Sequence, residues 1–458
     1  MRTGVTAVRS AGPGRAAAAA AAVLALVCAV ATGCGSRLPE SDFTARPSGT
    51  PGAVDGNTAS DTGVTPDRVK IGIVTSATSP VGGGAFTGPR DGARAFFAAL
   101  NRAGGVHGRK VDVVTCDDGG SGVGNNQCVH GLIDRDKVFA FTAGSVLDYA
   151  GAAYTSAKGV PDVGGQPIGT AYDTYPHLYG IYGSDAPRDG TPGWGGTLYA
   201  GTEVYRYFKE RLHARTAAVV SYNQADSARY ADQVRRGLKR EGYRVVDEQV
   251  DFALPNFQAV AADLRAKGVD VVFDAMDIHG NSQLCRAMDA AGVRVAAKVT
   301  NVQNWSASVP DDYRGSPTCR NSLWATSSSR NYEDTGHPEV RAFRAGMDAY
   351  AKAGGQVSGP LSQWQLEGWA AALQLTDAMA SCGAHLTRSC VERYLGRDHP
   401  YDAHGLLVPT DFVVSPTPPT SRRTCLDVAR WEDAKGWVTQ AADMDRNCFQ
   451  VPQLPYRP

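Results

Sequence analysis

From Val69 to Val299 the chain alternates between short apolar runs and longer amphipathic stretches, and this rhythm restricts the fold more than any other feature. Val69–Val74 reads as a buried strand, and residues 88–103 carry Ala93, Phe96, Phe97 and Leu100 at helical spacing. Lys110–Thr115, Val138–Thr142 and Pro161–Val163 read as further strands, separated by helices over 125–134 and 147–158. The pattern then restarts. Helices are expected over 195–212, 226–241, 257–267 and 282–291, with strands at 216–221, 244–250, 269–274 and 295–299. Strands that alternate with helices of this length pack as parallel sheets covered on both faces. The predicted class is therefore α/β, with two Rossmann-like lobes in succession. The last third reads as helices over 338–353, 362–381 and 387–395, then short strands at 406–408, 412–414, 425–431 and 436–438.

The N-terminus points outward from the cytoplasm. Arg2, Arg9 and Arg15 precede an unbroken small and apolar run, Ala16–Ala31, that ends in Ala31-Thr32-Gly33-Cys34. The run is shorter than the roughly 20 residues of a membrane-spanning helix and suits the core of a signal peptide. Small residues before a cysteine resemble the lipobox of bacterial lipoproteins, in which the cysteine becomes the lipidated first residue. Residues 1–33 are thus expected to be a signal peptide, Cys34 the lipid anchor, and the protein a lipid-anchored resident of the outer face of the cell membrane. Plain secretory cleavage, with Cys34 a bystander, is the other reading. Residues 34–66, rich in Ser, Thr, Gly, Pro, Ala and Asp, read as a flexible linker. Eight cysteines remain, which allow 105 pairings; pairing of sequence neighbours, Cys116 with Cys128, Cys285 with Cys319, Cys382 with Cys390 and Cys425 with Cys448, is favoured because each pair would sit within one local unit. An even set without C-x-x-C reads as structural disulfides of an oxidising compartment, not as a metal site.

Charge is balanced, 46 basic against 46 acidic residues, so no nucleic-acid partner is expected. No G-x-S-x-G, H-E-x-x-H or G-x-x-x-x-G-K-[ST] occurs. A catalytic function, a metal and a cofactor are accordingly not expected, with a secreted enzyme the least favoured alternative.

Several stretches match one family. After Val69–Val74 come Gly92-Ala93 and the run Asn101-Arg102-Ala103-Gly104-Gly105-Val106-His107-Gly108-Arg109-Lys110-Val111, then Asp117-Asp118 and Lys158-Gly159-Val160-Pro161. Towards the end, Tyr401-Asp402-Ala403-His404-Gly405 and Trp437-Val438 are similar as well. Across residues 67–440 the chain resembles the branched-chain amino acid-binding proteins of ABC transporters, with the type I periplasmic-binding-protein fold. The resemblance implies two lobes hinged around a ligand cleft, with three crossings: lobe 1 from 67–186 plus 330–404, lobe 2 from 187–329 plus 405–458. It also implies a monomer that captures a small solute and delivers it to a membrane permease. A ligand-sensing lipoprotein with a signalling partner would have the same fold.

Candidate ligand residues lie in loops after strands. On the first lobe they are Ser76, Ser79, Phe86, Ser145, Asp148 and Gln166; on the second, Tyr222, Asp226, Asp277 and Asn301. Phe86 equally suits stapling of the next helix, and each Asp suits an N-cap. Val146 and Leu147 stand where amino-acid binders of the family carry hydroxyls, so leucine is expected to bind poorly. A polar solute that is amino acid-like, an amide or an amine is expected instead.

Overall fold

The computed structural model describes residues 56–79, 86–300, 302–441 and 443–458. Cys34, the signal peptide and Asn301 lie outside the described residues, and so does the side chain of Asp226.

Two parallel sheets organise the chain. The first has five strands: β1 (Arg68–Thr75), β2 (Lys110–Asp117), β3 (Ala140–Thr142), β4 (Asp162–Gly165) and β5 (Leu178–Gly180), in the order β2-β1-β3-β4-β5. β1 is apolar because it is flanked on both sides: Ile71 lies opposite Val113 of β2 and Ala140 of β3. Helix Gly88–Arg102 buries Ala93, Phe96, Phe97 and Leu100, the residues of its predicted apolar face. It crosses helix Gln363–Ala380 at very close range. A Cβ on Gly92 would sit 1.8 Å from the Gln365 carbonyl oxygen, and one on Gly368 would sit 1.9 Å from that of Pro89. Paired glycines let the two backbones touch.

The second sheet contains β7 (Thr216–Tyr222), β8 (Arg244–Val250), β9 (Val271–Ala275), β10 (Ala297–Thr300) and β11 (Leu323–Ser327), joined in antiparallel fashion by β13 (Asp427–Glu432) and β14 (Gly436–Thr439). Its order is β14-β13-β11-β10-β9-β7-β8. Phe208, Phe273, Trp324 and Val428 build the core on one face. Two short ribbons complete the structure: β6 (Leu198–Ala200) with β16 (Leu454–Tyr456), and β12 (Ser421–Cys425) with β15 (Cys448–Pro452). All four predicted disulfides are present.

The chain passes between the sheets three times: after β5, after β11 towards helix Gln363–Ala380, which packs under Gly164 of β4, and again into β13. Several local differences from the sequence reading involve distant partners. The helix expected over 195–212 forms only at Glu203–Arg211, because Leu198–Ala200 is claimed by the C-terminal strand. The helix expected over 147–158 shortens to Ala152–Ala157, since the Leu147 N–H is held by Ser76 Oγ at 3.0 Å. Residues 406–408 and 412–414 are not strands; they form part of the last crossing, with Leu407 bridged to Ser329. Residues 57–66, read as linker, are seated on the first sheet's end. The buried Arg109 guanidinium donates to the Thr65 oxygen (2.9 Å), the Thr58 oxygen (3.1 Å) and the Ala384 oxygen (2.7 Å). Asp61 receives the Arg388 N–H at 2.8 Å.

Candidate ligand cleft

In sheets of this kind, ligands lie beyond the carboxyl ends of the strands. At the end of β1, Ser76 is fully buried. Its hydroxyl donates to Asp118 Oδ1 at 2.7 Å and accepts the Leu147 N–H. Its own N–H donates to the Ser145 oxygen at 3.0 Å. Asp118 also receives the Gly120 N–H (2.8 Å) and Asn125 Nδ2 (3.0 Å). The Ser76 hydroxyl is therefore committed to tying three loops together. Ser79 is buried beside it, its N–H on the Ser76 oxygen at 3.1 Å. Gln166 lies in a neighbouring group, with its N–H on the Gly144 oxygen at 2.8 Å and Nε2 on Glu367 Oε2 at 2.9 Å. Ser145 is also buried, and its Oγ has no hydrogen-bond partner among the described residues. Phe86 packs on Trp364 with ring centroids 5.7 Å apart, stapling its helix to Gln363–Ala380. Asp148 stands apart, exposed beside Gly122.

On the second sheet, the structure brings Tyr222 and Asp277 together. The Tyr222 hydroxyl donates to Asp277 Oδ1 at 3.0 Å, and the same oxygen caps helix Ile278–Ala290 through the Gly280 N–H at 2.9 Å. Burial, then the Asp277 carboxylate, push the Tyr222 phenol up. Beneath them, Lys298 is completely buried between Asp274 and Asn281, and Asn281 Nδ2 donates to Asp274 Oδ1 at 2.9 Å.

The sequence reading did not single out Glu367. This fully buried carboxylate receives Gln166 on one oxygen and, on the other, Tyr182 (2.7 Å), Ser327 (3.1 Å) and Ser329 (2.5 Å). Burial pushes its pKa up, and the four donors pull it back. It links β4, the first crossing and the end of β11. A lone acid in the apolar stretch Trp364–Ala372 is the signal that could have found it. A second missed feature is apolar. Ile168 after β4, Val123 after β2, and Phe252 and Leu254 after β8 are exposed, Leu254 at 84%. Large apolar side chains left in water at strand ends mark a surface that meets something else.

Comparison with known proteins agrees with this geometry. A family model described as periplasmic binding protein matches residues 68–435. No curated protein sequence matches. Among solved structures, the chain is similar to a fatty acid ABC transporter substrate-binding protein from Thermomonospora curvata, with TM-score 0.64 and 15% identity over 87% of this chain and 98% of that one. It is similar to the branched-chain amino acid transporter substrate-binding protein LivJ from Streptococcus pneumoniae in complex with isoleucine, with TM-score 0.61 and 15% identity over 84% and 100%. A solute-binding protein of an ABC transporter from R. palustris in complex with benzoate gives TM-score 0.59 and 13% identity over 84% and 97%. With its two parallel sheets, three crossings and strand-end cleft, the chain belongs to the periplasmic binding protein family, the extracytoplasmic solute-binding proteins of ABC transporters, and has their type I fold.

Proposed function

We propose that this protein, tethered by lipid at Cys34 on the outer face of the cell membrane, acts as a monomer that captures a small solute between its two lobes and delivers it to an ABC permease. The observation that carries the reading is the family match across 68–435 together with the thrice-crossed pair of sheets. Hinge closure across such crossings buries a ligand without covalent chemistry.

The solute has a polar head and an apolar part. Ser145, whose hydroxyl has no partner among the described residues, offers the head a hydrogen bond. Ile168 and Phe252 offer apolar surface from opposite lobes. Isoleucine and benzoate, held by the two relatives above, combine the same two characters. An amino acid-like, amide or amine solute fits this description, and leucine itself is expected to bind poorly.

Native mass spectrometry of the chain purified from an exporting host tests the reading. A small mass that leaves on unfolding, followed by a saturable titration with the identified compound, is the expected result. A chain that binds no solute across a thermal-shift screen of amines, amides and amino acids, and that fails to pull down a permease, would overturn it.

A further inference from the structure

One helix, Gln363–Ala380, holds all three crossings between the sheets with acids of its own. Glu367 receives Tyr182 of the first crossing and Ser327 and Ser329 of the second. Further along the helix, at the entry to the third crossing, Asp377 Oδ2 receives the Tyr401 hydroxyl at 2.8 Å and meets His404 Nε2 at 3.0 Å. The backbone there is strained. Ala403 (φ 49°), His404 (φ 56°) and Gly405 (φ 86°) are left-handed in succession. Among the described residues, Ala403 and His404 are the only adjacent pair of non-glycine residues in that region. Such a backbone persists only where its surroundings hold it, and hinges absorb their rotation at a few positions of this kind. The same turn grips the second crossing: Arg330 donates its N–H to the Leu406 oxygen at 2.7 Å and its Nε to the Gly405 oxygen at 2.8 Å.

Three carboxylates face His404. Asp377 comes from helix Gln363–Ala380, Asp402 from the turn, and Glu339 from helix Pro338–Lys352, with Oε1 3.9 Å from His404 Nδ1. The hydrogen bond to Asp377 pushes the imidazole's pKa up, against burial. Tyr401, on the same carboxylate, and Tyr394, on helix Arg388–Leu395, are phenols that burial pushes up, so they stay neutral. Two basic groups lie against Gly405. Arg330 is paired with Asp334 at 2.9 Å, and a Cβ on Gly405 would meet His337 Nε2 at 2.8 Å. Burial, then Arg330, push His337 down.

We propose that His404 and Asp377 form a pH-sensitive latch on the third crossing: the protonated imidazole ties the 403–405 turn to helix Gln363–Ala380, and loss of that proton frees the turn and loosens the hinge. A charged donor makes the stronger bond to a carboxylate. The folded chain raises the affinity of His404 for its proton, so the latch is made below the ordinary value of 6.5 and is lost as pH rises through the raised one. The donors on Glu367 are hydroxyls and an amide, which keep their protons throughout. The inference rests on the proposed capture between hinged lobes, whose regulation it names.

Hydrogen–deuterium exchange of the intact chain at pH 6 and pH 9, corrected for the intrinsic rate at each pH, tests the latch. The Gly405, Leu406 and Leu407 amides bond within the turn to the Asp402 and Ala403 oxygens. In the wild type their protection is expected to fall at least about fivefold from pH 6 to pH 9, while the Gly183 amide of the first crossing holds steady. His404→Gln is expected to abolish the response and to leave the turn at the wild type's pH 9 protection. Equal wild-type protection at both pH values overturns the proposal. So does an undiminished response in His404→Gln, which would move the titration to His337, and so does an equal loss at Gly183, which would make the effect global. Should His404→Gln fail to fold, Asp377→Asn answers instead, with a flattened response supporting the latch and a retained one overturning it. No solute enters the measurement, so a chain that captures none would end the proposed function and leave this result readable.

Discussion

The two sides of the cleft use their polar residues differently. On the first lobe, Ser76, Asp118 and Asn125 form one closed group, and Gln166, Glu367 and Tyr182 form another that reaches across to Ser327 and Ser329. Most hydroxyl and amide donors there are committed to protein acceptors. On the second lobe, the exposed Asp277 carboxylate accepts the buried Tyr222 hydroxyl and caps a helix. The first side is a wall whose shape is set by its own hydrogen bonds. The second presents an exposed carboxylate, Asp277, at its strand ends. A buried network with every member satisfied is rigid, and a rigid wall against a more adaptable one suits a protein that closes on its ligand.

The contrast breaks most decisively at the disulfides. Cys285–Cys319 has a sequence separation of 34 and anchors the helix that Asp277 caps; Cys382–Cys390, on the first lobe, has a separation of 8. Replacing the first pair by Ala is expected to cost about 4 kcal/mol, and the second about 2.5 kcal/mol, by loop-closure entropy. Urea unfolding of the two variants measures the difference, and equal losses would contradict it.

Glu367→Leu is the next largest effect. It strips four donors of their acceptor, and a loss of about 3 kcal/mol is expected, because the donors stay buried while the acceptor is gone. Glu367→Gln, which keeps an acceptor oxygen, should lose visibly less in the same denaturation assay. If the two variants were equally stable, the wall would not depend on this carboxylate.

Each sheet also holds a buried aspartate. Asp162 in β4 receives Tyr149 (2.7 Å) and Tyr172 (3.0 Å), while Asp427 in β13 receives the Asn331 and Val428 N–H groups at 2.6 and 2.7 Å. Burial pushes both up to about 6, from an ordinary value of 3.8. Between these two values the folded chain holds protons that the unfolded chain has released. Stability therefore rises as pH falls through 6, levels off below 3.8, and declines as pH rises. Each group contributes about 1–3 kcal/mol to that slope. Asp162→Asn should flatten the thermal-stability profile between pH 4 and 6, and an unaltered profile would show that Asp162 titrates normally.

The smallest effect sharpens the comparison within one loop cluster. Ser76→Ala removes a donor from buried Asp118 and should cost about 1–2 kcal/mol of stability. Ser145→Ala removes a hydroxyl with no partner among the described residues, so its stability should change by less than about 0.5 kcal/mol, while affinity for the co-purifying solute drops several-fold. Chemical denaturation and titration of the same two variants read both quantities. A large stability loss in Ser145→Ala would assign its hydroxyl a structural role.

Much of this architecture was legible in residue order. β8 runs from Arg244 to Val250, as its apolar and polar residues predict, and helix Gly88–Arg102 buries the four residues of its periodic face. The disulfides join nearest cysteines because each pair lies within one local unit. The binding residues were harder to read. Ser76, Ser79, Ser145 and Gln166 do cluster at one sheet end, yet Ser76 and Gln166 proved to be engaged by Asp118 and Glu367, from 42 and 201 positions away.

Residue order alone thus determined most of the strands and helices, because periodicity acts within a dozen or so residues, and it favoured the neighbouring-cysteine pairs. Only the tertiary structure decided that Leu198–Ala200 would pair with the last strand, that residues 57–66 would dock under Arg109, and that Ser145 Oγ would find no partner among the described residues. Whether a polar group is satisfied depends on everything brought around it in space, and no local pattern encodes that.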